Sequence, residues 1–158
     1  MRTQTPSPRS NSGQSIFGQS ISAAPRVLVA EDYIPNAEFI AAALEFEGYE
    51  ADLAANGVIA VDLAMSTPYD AILMDIEMPE MDGIRATQMI RRHEQATGAA
   101  PAPIIGITGH TMTSIRLLCL RAGMNELLVK PFLPSVLYSR IEAWLAPRAA
   151  LRPAAESA

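Results

Sequence analysis

At 158 residues the chain can hold one domain with its own core and is too short for two ordinary ones. Apolar residues make up 49% and charged residues 18%, which excludes a disordered or fibrous chain, and no apolar run exceeds strand length, which excludes a bilayer-spanning segment. A formal charge of −5 argues against contact with nucleic acid, since that needs clustered lysine and arginine to displace counterions.

Residues 1–24 are rich in Ser, Gln, Asn and Pro and carry almost no apolar periodicity, so they read as a flexible tail unable to offset its ordering entropy. The body, residues 25–146, alternates short apolar runs with segments of helical period. This is the pattern of repeated βα units around a parallel sheet. RVLVA (Arg26 to Ala30) is the first strand. A helix follows near Asn36 to Glu47, with Phe39, Ile40, Ala43 and Leu44 on one face and Gly48 as its stop signal. YEADLA (Tyr49 to Ala54) alternates in polarity, as a strand near a sheet edge does. It leads through Asn56-Gly57 into a second helix carrying Val58, Val61 and Met65 at helical spacing.

AILMD (Ala71 to Asp75) is apolar until its last residue, as expected of a strand covered on both faces. A helix is predicted from Ile84 to Glu94, then a strand, IIGIT (Ile104 to Thr108). The fourth helix runs from Met112 to Ala122, LLVK (Leu127 to Lys130) is the fifth strand, and SVLYSRIEAWL closes the body. Residues 147–158 are rich in Ala and Pro and are expected to fray. The lone cysteine, Cys119, has no disulfide partner, and the N-terminus lacks the apolar core of a signal peptide. Both point to the cytoplasm.

In open parallel α/β sheets, function gathers at the carboxyl ends of the strands. Here the first strand runs into Glu31-Asp32, the third ends in Asp75, the fourth in Thr108 and the fifth in Lys130-Pro131. An acidic pair opposite another carboxylate suits Mg²⁺, and a lysine with a hydroxyl completes a phosphate site. Asp75 would attack a phosphoryl group, Mg²⁺ and Lys130 would neutralise developing charge, and Thr108 would hydrogen-bond the phosphoryl oxygens. Each residue alone reads more readily as an ordinary loop polar group, but four strand ends carrying an acid pair, an acid, a hydroxyl and a lysine together do not.

The stretches VLVAED with Asn36 following, LMDIEMPEMDG, PIIGITGH and CLRAGMNELLVKPF resemble the receiver domain of two-component response regulators, particularly receivers attached to hybrid sensor kinases. The resemblance implies a flavodoxin-like (βα)5 doubly wound sheet with strand order 2-1-3-4-5. It also implies that Asp75 accepts a phosphoryl group from a phosphohistidine on a sensor histidine kinase or a histidine phosphotransfer protein. Asp32, Asp75 and the backbone carbonyl of Glu77 would ligate Mg²⁺, Glu31 would act through water, and Lys130 would pair with Asp75 at rest. A cis peptide before Pro131 is implied as well. The chain would be a signalling phosphoacceptor that assists its own phosphorylation and dephosphorylation, rather than an enzyme with an outside substrate.

Within the loop after Asp75, Pro79 and Gly83 read as turn makers, Gly83 by tolerating positive φ, and Glu80 and Asp82 as solvated loop and helix-start acids. Two departures from the family stand out. Leu127 occupies the place of an aromatic three positions before the lysine. Ile115, Leu117 and Leu118 replace charged residues on the fourth helix, where they serve either a thicker core or a surface for a partner or a second copy. Glu77 and His110 lie two residues beyond Asp75 and Thr108, at positions that border the attacking water's path in the family. They either tune the acyl phosphate's lifetime or are plain surface groups. Two other classes remain open: an interaction module that works without phosphorylation, and a phosphatase acting through an aspartyl-phosphate.

Overall fold

The computed structural model describes residues 23–151. Five parallel strands form one sheet in the order β2-β1-β3-β4-β5: β1 (Arg26–Ala30), β2 (Glu50–Ala54), β3 (Ala71–Asp75), β4 (Ile104–Thr108) and β5 (Glu126–Val129). The helices between and after them are α1 (Ile34–Phe46), α2 (Gly57–Ser66), α3 (Gly83–Thr97), α4 (Thr113–Ala122) and α5 (Pro134–Leu151).

Strand alternation divides the core into two layers. Leu28, Ile72, Met74 and Ile104 pack with Val61, Ile90 and Cys119 on the side of α2, α3 and α4. Val27, Val29, Leu73, Ile105 and Ile107 pack with Ile40, Leu44, Leu137 and Ile141 on the side of α1 and α5. Helices on both faces explain why every residue of β3 and β4 is buried, whereas β2, at the edge, is largely half-exposed. The chain therefore adopts the doubly wound flavodoxin-like order that the family resemblance implies.

Several sequence expectations need correction. The buried stripe of α1 is Ala37, Ile40, Ala41 and Leu44; Phe39, one residue and about 100° of helix rotation away from Ile40, is 58% exposed. In α2 the inward residues are Gly57, Ala60 and Val61, while Val58 and Met65 lean outward. Helix α4 buries only Cys119 and Ala122 fully. Ile115 packs partly on the core, but Leu117 and Leu118 are each 50% exposed, so a thicker core does not account for them. Leu127 is half-buried against the same core layer.

The tails expected over residues 1–24 and 147–158 lie mostly outside the described residues. The described part of the second is helical: α5 runs through Pro147 to Leu151. Proline gives up one backbone bond there without ending a helix continued by strong formers, Ala149, Ala150 and Leu151.

Candidate functional site

Parallel register brings the strand ends to one level. Ala30 pairs with Met74, Asp75 with Ile107 and Thr108 with Val129, so the residues just beyond β1 and β5 arrive beside Asp75. Glu31, Asp32, Asp75, Glu77 and Lys130 line one cleft there, joined by Tyr33, Asn36 and Gly109. A larger groove lies at the opposite, amino-terminal end of the strands, bordered by Pro25, Tyr69, Ile90 and Leu145. The acids and the lysine that suit phosphoryl chemistry are in the smaller cleft.

Asp75 ends a strand buried along its whole length and is itself 5% exposed. Lys130 Nζ donates to Asp75 Oδ2 at 2.8 Å and to Glu31 Oε2 at 2.9 Å. The first contact is the resting pair that the family resemblance implies; the second was not legible in the sequence. Glu31 is 3% exposed, and its other oxygen accepts the Tyr33 N–H at 3.1 Å. Asp32 is exposed. One carboxylate oxygen from each of Glu31, Asp32 and Asp75 lies within 4.8 Å of the other two. Lys130-Pro131 is a cis peptide.

The cluster carries more negative than positive charge. Burial pushes the Asp75 carboxyl above the usual carboxylate range, against the pull of Lys130 and with help from the Glu31 charge. Burial pulls the Lys130 ammonium down, but its bonds to Asp75 and Glu31 outweigh this and leave it raised. Three carboxylates answered by one ammonium form a hard-oxygen donor set that suits a divalent cation.

Thr108 is 2% exposed, and its Oγ1 accepts the His110 N–H at 2.9 Å. A hydroxyl that accepts one bond still has its own proton to donate. The side chains of His110 and Glu77, the latter on the wall of the cleft, meet in a close contact, both well exposed. Sequence reasoning singled out these two residues by their equal offsets from Asp75 and Thr108 but did not foresee that they touch.

The loop after Asp75 is built differently from its sequence reading. The residue with positive φ is Glu80, at 66°; Gly83 is not among the residues with positive φ. Gly83 is needed for close approach instead. A Cβ there would sit 2.9 Å from the Asp75 carbonyl carbon and closer still to its oxygen. Met81 N donates to Pro79 O at 2.7 Å, closing a three-residue turn around Glu80. Asp82 is a helix-start acid as expected: its Oδ1 accepts the Arg85 N–H at 2.7 Å.

The model of the response regulator receiver domain matches residues 27–142. The sensor histidine kinase GacS of Pseudomonas protegens is 34% identical over 123 residues, which cover 78% of this chain and 13% of that kinase. The chain thus spans a small part of the curated relative it matches. Among solved structures, the receiver domain of sensor histidine kinase PA1611 from Pseudomonas aeruginosa, with a magnesium ion coordinated in its active-site cleft, is 39% identical. Its TM-score is 0.71, over 78% of this chain and 99% of that one. The receiver domain of Ssk1 from Saccharomyces cerevisiae, crystallised with the histidine phosphotransfer protein Ypd1, is 28% identical, with a TM-score of 0.76 over 80% of this chain and 92% of that one.

Proposed function

We propose, from the premise that this chain belongs to the response regulator receiver domain family of two-component signalling, that Asp75 is its phosphoacceptor. The observation that carries this is the shared lysine. Lys130 reaches both Asp75 and Glu31 at the centre of an acid cluster, where phosphoryl charge would develop. An Asp75 carboxylate oxygen attacks the phosphorus of a phosphohistidine, forming a P–O bond as the P–N bond breaks and its electron pair returns to the imidazole. Lys130 then shifts from the carboxylate to the phosphoryl oxygens, and the Thr108 hydroxyl donates to them.

Asp32, Asp75 and the Glu77 carbonyl would hold Mg²⁺, with Glu31 acting through water; when bound, the ion would neutralise charge on the transferring oxygens. Glu77 and His110, whose side chains touch, would restrict the water that hydrolyses the acyl phosphate. The chain is a phosphoacceptor that assists its own modification, and no helix among the described residues is long and apolar enough to cross a membrane. We assign it to the cytoplasm.

The donor is a sensor histidine kinase or a histidine phosphotransfer protein. Tyr33, at the cap of α1 and beside the cleft, and Ile34 and Phe39, on the helix itself, are exposed apolar groups that such a partner would meet. A second surface runs over α4, β5 and α5, where Leu117, Leu118, Val129, Leu133 and Val136 are exposed. It serves a downstream partner or a second copy. Sedimentation showing only monomers at high concentration, with and without a phosphoryl mimic, excludes the second copy.

The test of the acceptor is incubation with acetyl phosphate and Mg²⁺, followed by intact mass. The wild type gains one phosphoryl group; Asp75→Ala gains none, and neither does the wild type without Mg²⁺. Equal labelling of both proteins removes Asp75 from the role.

A further inference from the structure

The loop from Ile76 to Asp82 is held from outside as well as from within. Its near end is tied to the sheet by Ile76 N donating to Ile107 O at 3.0 Å, and Gly83 N closes the loop on Ile76 O at 2.9 Å. Its far side meets α2, where Gly57 N donates to Met81 O at 3.1 Å. Gly57 is the first residue of α2, so its N–H is one of the donors that a helix start leaves without an intrahelical partner. The preceding residue, Asn56, fixes this turn through its side chain, which accepts the Ile59 N–H at 2.9 Å.

This contact leaves no room for a side chain. A Cβ on residue 57 would lie 2.9 Å from the Met81 carbonyl carbon and 3.0 Å from Met81 Cβ, and closer still to the carbonyl oxygen. The nearest obstacle is loop backbone, which cannot swing aside as a flexible side chain does. The other end of the loop is equally close-packed, with Gly83 against the Asp75 carbonyl. A push at Met81 is blocked in the forward direction, where Gly83 abuts the Asp75 carbonyl, and so passes back towards Ile76, whose N–H and carbonyl are both bonded; the segment between Ile76 and Met81 includes Glu77.

We propose that Gly57 is a positioning residue for Mg²⁺ binding: its bare backbone seats the Met81 carbonyl and thereby sets where the Glu77 carbonyl stands beside Asp75 and Asp32. The inference rests on the reading of the cleft as a Mg²⁺ site. Gly57 touches no proposed ligand, so its influence travels only through the loop.

The test is calorimetric titration of Mg²⁺ into wild type, Gly57→Ala and Gly98→Ala, with circular dichroism as a check on the fold. Gly98 has φ 70° at the end of α3, and a Cβ there meets nothing within 4 Å, so its variant strains the backbone without touching the loop. Gly57→Ala should weaken Mg²⁺ binding by up to about tenfold, the lower end of what loss of a direct bond to a ligand costs, because Gly57 acts through the loop and touches no ligand. Gly98→Ala should bind as the wild type does. In the metal-free proteins, amide hydrogen exchange from Glu77 to Met81 should speed up in the first variant alone.

Should Gly57→Ala fail to fold, Asn56→Ala loosens the same turn without adding bulk and should weaken Mg²⁺ binding in the same direction. Unchanged affinity in the folded variant, or equal losses in Gly57→Ala and Gly98→Ala, overturns the inference alone. No uptake by the wild type overturns the metal reading and this inference with it.

Discussion

Lys130 donates to Asp75 at 2.8 Å across 55 residues of chain, and the same ammonium holds Glu31, 99 residues away, at 2.9 Å. One cation thus answers two buried carboxylates. The cluster is short of positive charge before any phosphoryl group arrives, and this shortage governs both its stability and its affinity for cations.

Ionised Asp75 weighs against the fold. Its carboxyl is raised, chiefly by burial, so its contribution is fully present below the ordinary carboxylate value and is lost as pH rises through the raised one. Asp75→Asn should therefore melt higher than wild type at pH 7, by a few degrees for a gain of about 1 kcal/mol, because Lys130 keeps Glu31. Lys130→Met should melt lower, losing about 3 kcal/mol, because it leaves two buried carboxylates without a cation. Thermal melts of the three proteins decide the matter, and an Asn variant less stable than wild type would refute it.

Mg²⁺ should stabilise the wild type by mass action, by about 2.7 kcal/mol at a hundredfold excess over its dissociation constant. Asp32 is the exposed member of the acid cluster. Asp32→Asn should lose most of this gain, while its metal-free stability stays within about 0.5 kcal/mol of wild type. Melting curves over a Mg²⁺ series give both values; a full Mg²⁺ response in the variant would exclude Asp32 as a ligand.

At the other end of the sheet, Tyr69 Oη donates to Asp52 Oδ2 at 2.7 Å, and Arg26 Nε donates to the same oxygen at 2.9 Å. The Tyr69 bond, with help from Arg26, holds the Asp52 carboxyl below its usual range. Burial and Asp52 push the Tyr69 hydroxyl up to about 12. The lowered Asp52 stabilises above the ordinary carboxylate value, an effect lost as pH falls through the lowered one. The raised Tyr69 stabilises below the ordinary tyrosine value, an effect lost as pH rises towards about 12. Tyr69→Phe should cost about 1 kcal/mol near neutrality. Its disadvantage should shrink at both extremes, as stability measured from acid to alkaline pH would reveal; a constant difference would contradict this.

Arg91 ties three elements together. Its Nε donates to Gly123 O at 2.9 Å, and its two terminal nitrogens donate to Glu94 at 2.7 Å and to Asn125 at 2.9 Å. Glu94 in turn accepts the Ala102 N–H at 2.9 Å, and Asn125 accepts the Ile104 N–H at 2.8 Å, at the entry to β4. Arg91→Ala should lose about 2 to 4 kcal/mol, since it leaves the buried Glu94 carboxylate short of a partner. Arg91→Lys should recover less than half of this, because an ammonium cannot reproduce the planar fork. Denaturant midpoints of the three proteins test the ordering, and a lysine variant as stable as wild type would show that charge alone suffices.

The βα alternation, the fully buried third strand, the edge placement of β2 and the chemistry of each strand end were legible in the sequence, because periodicity and residue type act over a few neighbouring positions. Tertiary structure alone decided which helix faces turn inward, leaving Phe39 and Leu118 in solvent where spacing placed them in apolar stripes. It also decided that Glu80 takes the left-handed conformation while Gly83 gives way to the Asp75 carbonyl, and that Glu31 shares the lysine of Asp75. The inward helix faces and the shared lysine depend on the distance between segments remote in sequence, which is set by strand register and by the depth at which each helix beds against the sheet, and the loop conformation follows from its close return to the end of β3. Neither quantity is encoded in any single stretch of the chain.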